Sequence, residues 1–322
     1  MISNNSDLLD EEMKPRLVSV IIPTHNRPAY LEQAVSSVLN QTHKAIEIII
    51  VDDGSDKRHT EAIDRIAGLG PAIGLHRHET PKGPGYARNF GLDKATGEFV
   101  LFLDDDDLLR PSMVDDGLTQ FQRYPDSDVV VCAARAFSQS EASGAICLDK
   151  NRQVADSGTA MQLKPGALID LSILQRIIIP IDACLVRRQT IGSIRFPEDL
   201  LVGEDTFFWL SLKHQGGAFR YHDKVNVLLR RHPSNSTGSK RRYYSQIQNY
   251  QCKLLKSGML TRRKDIALVK VQLAYFKFRQ NPMAGLLNCG QIFKNIKPVL
   301  KALGLFLYDR LRKQPRSFWR YF

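Results

Sequence analysis

LVSVIIPTHNRPAYLEQAVSSVLNQTHKAIEIIIVDDGS, residues 17–55, decides how the rest of the chain is read. Leu17–Pro23 is a β-branched apolar run that ends at a proline, the pattern of a strand buried on both faces. A helix should follow: Asn26 can cap it, Pro28 suits its first turn, and Leu31, Ala34, Val35, Val38 and Leu39 recur at helical spacing. Ile46–Val51 is a second buried strand, and Asp52-Asp53-Gly54-Ser55 is its polar exit. Strand, helix and strand in this order form a βαβ unit, which implies a parallel pair.

The same alternation continues outward. Lys57–Ile66 is expected to be helical, Gly83-Pro84-Gly85 opens a segment running to Lys94, and Phe99–Leu103 is another buried strand that ends in Asp104-Asp105-Asp106-Asp107. Pro111 starts a helix with Met113 and Leu118 inward, Val129–Cys132 gives a further strand, and Ser138–Gly158 reads as loop or hairpin. In open α/β sheets ligands bind beyond the carboxyl ends of the strands. Three such exits are polar here, Pro23–Arg27, Asp52–Ser55 and Asp104–Asp107, and the topology should bring them together.

The net charge of +11 is unevenly placed. Residues 240–322 carry 19 Lys and Arg against Asp265 and Asp309, a net of +17, which leaves −6 for residues 1–239. Cys132, Cys147, Cys184, Cys252 and Cys289 form no Cys-x-x-Cys pair, which argues against a zinc or redox motif and for buried thiols in a reducing compartment. The acidic start, with Asp7, Asp10, Glu11 and Glu12, lacks the features of a secretion signal, and no apolar run reaches the ~18–20 residues needed to span a bilayer. A cytoplasmic location is expected, and any contact with a membrane would be made from one side, at its inner face.

Four adjacent carboxylates repel one another, and a divalent cation relieves that cost. Mg²⁺ or Mn²⁺ suits an all-oxygen donor set and keeps room for water and substrate phosphates. Taken alone, the run also fits a solvated acidic turn. Glu204-Asp205 stands where a helix should begin, and an acid at a helix N-terminus is favoured whether or not it has chemistry to do. Arg230-Arg231-His232 follows the apolar run Val225–Leu229; it fits either a phosphate contact or a basic surface cluster.

Five segments in order resemble family 2 glycosyltransferases of the GT-A fold, over about residues 17–235. They are Pro23-Thr24-His25-Asn26-Arg27, Gln41-Thr42 with Glu47–Ser55, Gly83–Gly91 (GPGYARNFG), Gly97–Asp107 (GEFVLFLDDDD) and Gly203-Glu204-Asp205. The resemblance implies an α/β fold: a Rossmann-like nucleotide-sugar domain with a mixed central sheet, and a basic helical extension at the C-terminus. Residues 17–239 would form the transferase domain, divided into a nucleotide-sugar half (17–110) and an acceptor half (111–239). Residues 1–16 would be a flexible lead and 240–322 the extension.

By the same resemblance, Pro23, Thr24, Arg27, Asp52, Asp53, Arg88, Asp104 and Asp105 would surround the donor, with Asp52 as base contact, and Arg230 and His232 would reach the diphosphate. Asp104 and Asp106 would form the Asp-x-Asp that holds Mn²⁺ or Mg²⁺, and Asp205 would be the base of an inverting transfer, with Glu204 as the alternative. Two positions depart from the family pattern: Pro81 replaces a usual Asn, and Asp105 and Asp107 leave the ligand register within the run open.

Expected partners are a nucleotide-sugar donor, a glycan or lipid-linked acceptor, and an anionic membrane surface met by the basic tail, where Trp319, Tyr321 and Phe322 lie beside Arg316 and Arg320. No nucleic acid is expected, although the charge alone would suit one. Rival readings are a Mg²⁺-dependent haloacid-dehalogenase-like phosphotransferase, whose nucleophilic Asp normally follows the first strand, and a catalytically silent nucleotide-sugar binder.

Overall fold

The structure is a computed structural model and describes residues 16–139, 146–153, 168–169, 179–232 and 240–273, with 264, 268 and 271 excepted. The expectations for residues 1–15 and 274–322, the terminal aromatics included, lie outside the described residues.

The βαβ opening forms as read, with β1 (Val18–Thr24), α1 (Pro28–Leu39) and β2 (Ile46–Asp52). It is followed by α2 (Lys57–Ala67), β3 (Ile73–Arg77), α3 (Pro84–Lys94) and β4 (Phe99–Phe102). Beyond the Asp run come β5 (Leu108–Leu109), α4 (Met113–Arg123), β6 (Val129–Gln139), β7 (Ile146–Gln153) and β8 (Leu168–Ile169). A single 3₁₀ turn (Ile181–Ala183) leads into β9 (Cys184–Arg187), α5 (Arg188–Ile191), α6 (Glu204–His214), β10 (Phe219–Arg230) and α7 (Lys240–Lys256).

One sheet runs in the order β3-β2-β1-β4-β9-β6-β10-β5, with β7 on β6 and β8 on β10. β3, β2, β1 and β4 are parallel, β9 runs against both β4 and β6, and β10 is parallel to β6. The sheet is therefore mixed, and its parallel run from β3 ends at β4. The Ser138–Gly158 stretch contains the hairpin strand β7, antiparallel to β6.

Successive residues of the central strands point to opposite faces. Val20, Ile22, Ile48 and Ile50 pack with Leu31, Val35 and Phe121 on one side, while Ile21, Ile49, Val51 and Phe102 pack with Ala87, Phe208 and Trp209 on the other. Every residue of β1 is buried, which is why its sequence is continuously apolar rather than alternating. Fully burying one such side chain stabilises the fold by ~1.5–3 kcal/mol.

Asn26 does not cap α1. Its backbone is left-handed (φ 59°), and its side-chain oxygen accepts from Asp56 N at 2.8 Å while its own N–H donates to Ser55 Oγ at 2.8 Å. Asn26 thus ties the exit of β1 to the exit of β2. No helix among the described residues is long and apolar enough to cross a membrane. Cys132 and Cys184 are buried free thiols, and burial pushes the Cys132 thiol up to about 12.

Candidate active site

Three strand exits converge, as the topology requires. After β1, Thr24 Oγ1 donates to Asp105 Oδ2 at 2.7 Å, and Arg27 Nη1 bridges Asp105 Oδ1 (3.1 Å) and Asp106 Oδ2 (2.9 Å). Pro23 lies in β1 opposite Val51 of β2. The β2 exit is held more tightly still. Asp52 is fully buried, receives Arg77 Nε at 2.6 Å and accepts from Ser55 N at 3.0 Å. Asp53 faces His78 Nδ1 at 2.9 Å and accepts from the backbone N–H groups of Lys82 and Gly83, the latter at 2.7 Å.

The Asp run closes as a turn, with Asp107 N donating to Asp104 O at 3.1 Å. That turn sends the four carboxylates in two directions. Asp105 and Asp106 face Arg27, and Asp106 Oδ2 also meets His232 Nε2 at 2.8 Å. Asp104 and Asp107 instead gather with Asp182, the ligand atoms of all three lying within 4.8 Å of one another. Asp182 comes from the 3₁₀ turn before β9 and accepts from Asp104 N at 2.5 Å. It is the residue the sequence reading missed, although an acid inside the apolar run Ile177–Ala183 is a signal of buried charge with work to do.

Electrostatics separate these groups. Burial, followed by mutual repulsion among the neighbouring aspartates, raises both Asp107 and Asp182 well above the ordinary carboxylate range. Asp105 is pushed up to about 7, mainly by burial and against the pull of Arg27. Three carboxylate donors, two of them buried and repelling one another, fit a hard divalent cation: Mg²⁺ or Mn²⁺ bound there would offset that repulsion.

On the acceptor side, Gly203 takes a left-handed backbone (φ 83°) and starts α6, so that Glu204 and Asp205 occupy its first turn. Asp205 is half-buried and accepts from Thr206 N at 2.6 Å; burial, and then the neighbouring Glu204, raise it to about 7. Glu204 receives Arg88 Nη1 at 2.9 Å, and Arg88 Nη2 reaches Asp104 at 2.6 Å. A Cβ on Gly203 would meet Tyr250 Cγ at 2.9 Å, so the ring of α7 lies directly on this turn. Burial, with Asp205 nearby, raises the Tyr250 phenol.

Arg230 lies in a closed network. Its Nε donates to Asp106 O at 2.7 Å and its Nη2 to Gln33 Oε1 at 2.9 Å, Nη1 bonds Gln139, and its backbone N–H donates to Asp107 Oδ1 at 2.6 Å. Tyr30 and Phe137 lie against its guanidinium. His232 packs beside Tyr30 with ring centroids 5.1 Å apart. Both residues thus support the Asp run from beneath α1.

Comparison with known proteins identifies the family and the fold. The family model "Glycosyl transferase family 2" matches residues 19–169. An uncharacterized glycosyltransferase of Haemophilus influenzae is 30% identical over 226 residues, 67% of this chain and 83% of that protein. The chain belongs to glycosyl transferase family 2. Several other relatives are longer, the chain spanning 31–33% of three Rickettsia glycosyltransferases. A Campylobacter jejuni GalNAc(5)-diNAcBac-PP-undecaprenol beta-1,3-glucosyltransferase is 44% identical over 96 residues, 30% of this chain and 31% of that protein.

Among solved structures, S. aureus TarS 1-349 in complex with UDP-GlcNAc superposes with a TM-score of 0.61 at 22% identity, covering 91% of this chain and 81% of that one. A Pyrobaculum calidifontis mannosyltransferase, in complex with GDP-Man and Mn2+, gives 0.55 at 17% identity and covers 93% and 88%. The fold is GT-A. Membership of this family sets aside the haloacid-dehalogenase reading, and the first strand accordingly exits at Thr24 rather than at the Asp run.

Proposed function

We propose that this glycosyltransferase moves a sugar, with inversion, from a uridine-diphosphate sugar to a hydroxyl of a glycan or lipid-linked glycan, with a divalent cation held by Asp104, Asp107 and Asp182. The observation that carries this reading is an all-oxygen acid cluster joined, through the buried guanidinium of Arg88, to Glu204, whose neighbour in the same turn is the Asp205 carboxyl. The lipid-linked acceptor is suggested by the Campylobacter relative, whose name specifies an undecaprenol-linked substrate.

The chemistry asked of the residues is limited. The acceptor hydroxyl attacks the anomeric carbon as the bond to the diphosphate oxygen breaks, and the leaving diphosphate keeps that electron pair. Asp205, in its ionised form, takes the hydroxyl proton during attack. Its elevated affinity for protons brings it near the operating pH, where a general base is most effective. A bound divalent cation supplies Lewis-acid stabilisation of the departing diphosphate. Thr24, Arg27 and Asp105 line the β1 exit, and the fully buried Asp52 holds the part-exposed Arg77 guanidinium at the β2 exit, where the nucleobase would lie.

The test is thermal protection by a panel of nucleotide sugars with Mn²⁺, with Mg²⁺ and with EDTA. A uridine-diphosphate sugar should raise the melting temperature only when the cation is present. Absence of protection by every nucleotide diphosphate would defeat the reading.

A further inference from the structure

Arg88 and Asn89 are consecutive in α3, and both are buried. Arg88 is 3% exposed and forks between acids from opposite halves of the domain, Asp104 at 2.6 Å and Glu204 at 2.9 Å. Asn89 grips the segment leading to that second acid. Its Oδ1 accepts from Phe196 N at 2.8 Å, and its Nδ2 donates to Phe196 O and to Glu198, each at 3.0 Å. The Phe196 ring held in this way stacks on Phe208 of α6 at 4.0 Å and lies against the Arg88 guanidinium. Two adjacent side chains of one helix therefore fasten both the backbone before the acid turn and the acid that begins it.

We infer that Arg88 and Asn89 form a positioning clamp, which fixes the Glu204-Asp205 turn relative to Asp104 and so sets the distance between the base and the donor diphosphate. This assigns the Ala-Arg-Asn segment a role other than the donor contact its resemblance implies. The clamp rests on the transferase reading for its effect on rate, while its existence does not. Arg suits the role because a planar fork can serve two carboxylates at once, whereas a Lys ammonium has neither that reach nor that geometry.

Two measurements test it. In the full chain carrying Arg88→Lys, UDP release at saturation with the UDP-sugar that gives the strongest thermal protection should fall about tenfold or more, and by several-fold more than the affinity for UDP with Mn²⁺ weakens, as misplacement of a catalytic group does. Asn89→Ala should shift both readouts in the same pattern and by less. A tenfold weaker UDP affinity with unchanged turnover at saturation would overturn the clamp and make Arg88 a donor ligand.

The second measurement needs no donor, so it separates this inference from the assignment of function. Arg88→Met and Glu204→Gln should each lower the melting temperature. The double variant should recover much of the summed loss, because the unpaired buried acid left by the first change is neutralised by the second. Strictly additive shifts would overturn the clamp, even if the protein turns over some other nucleotide sugar.

Discussion

The exit of β2 and the exit of β4 are both built from adjacent aspartates, yet they are in opposite electrostatic conditions. Asp53 receives two backbone N–H groups and faces His78, and Asp52 receives Arg77 and Ser55 N, so these carboxylates are fully engaged in holding loops in place. Asp107 and Asp182 are as deeply buried, but they face each other and their acidic neighbours and hold protons far above the usual range. Satisfied carboxylates make scaffold, whereas crowded ones have affinity left over for a cation or a proton. The contrast makes the β4 side the candidate for chemistry and the β2 side the candidate for scaffold.

The most direct way to break that contrast is Asp205→Asn. Turnover should fall by about 10²–10⁴, the range for loss of a general base, while UDP affinity in the presence of Mn²⁺ is retained; parallel kinetics and calorimetry check both. Next is Asp182→Asn. It should weaken Mn²⁺-dependent UDP binding by about tenfold or more, on the scale of damage to a metal site. It should also raise the melting temperature at pH 8, since it removes a carboxyl that resists ionisation in the fold.

The pH dependence is a smaller but sharper probe. Because Asp205 is raised to about 7 and must be ionised to act, turnover should climb with pH through about 7 and fall about tenfold per unit below it. A flat profile between pH 5 and 8 would remove Asp205 from the role. On the scaffold side, Asp53→Ala should cost about 1–3 kcal/mol through the unpaired N–H groups of Lys82 and Gly83, read as a drop of several degrees by calorimetry.

The smallest effect concerns the tail. Binding to anionic vesicles should fall when residues 274–322 are removed, with turnover of the UDP-sugar that protects best unchanged; equal pelleting of both forms would discard the membrane contact.

Much of this was legible because the signals were local. The apolar runs of β1, β2 and β4 are bounded by proline or aspartate, and the period of α1 is regular, so sequence reading places them to within a residue or two. β3 and β9 escaped it. Ile73–Arg77 is a short edge strand with Gly74 and His76 inside it, and Cys184–Arg187 has four residues, too few to show a period. The ligand register failed to resolve for a geometric reason. Linear spacing suggests Asp-x-Asp, but the turn from Asp104 to Asp107 brings the first and fourth aspartates together and turns the middle two towards Arg27. Asp182 and Arg77 depend on partners distant in sequence, which no periodicity reports.

Tyr250 on Gly203, with Leu254 in the core beside Trp209, has a consequence for how the molecule comes into being. Synthesis proceeds from the N-terminus, so the exits of β1 and β2 are made long before α7 leaves the ribosome, whereas the Asp run waits for Arg230 and His232 at the end of β10. The turn that presents Asp205 has no cover until α7 follows. A growing chain of this enzyme would have its rigid exits in place well before the acids proposed to carry the chemistry.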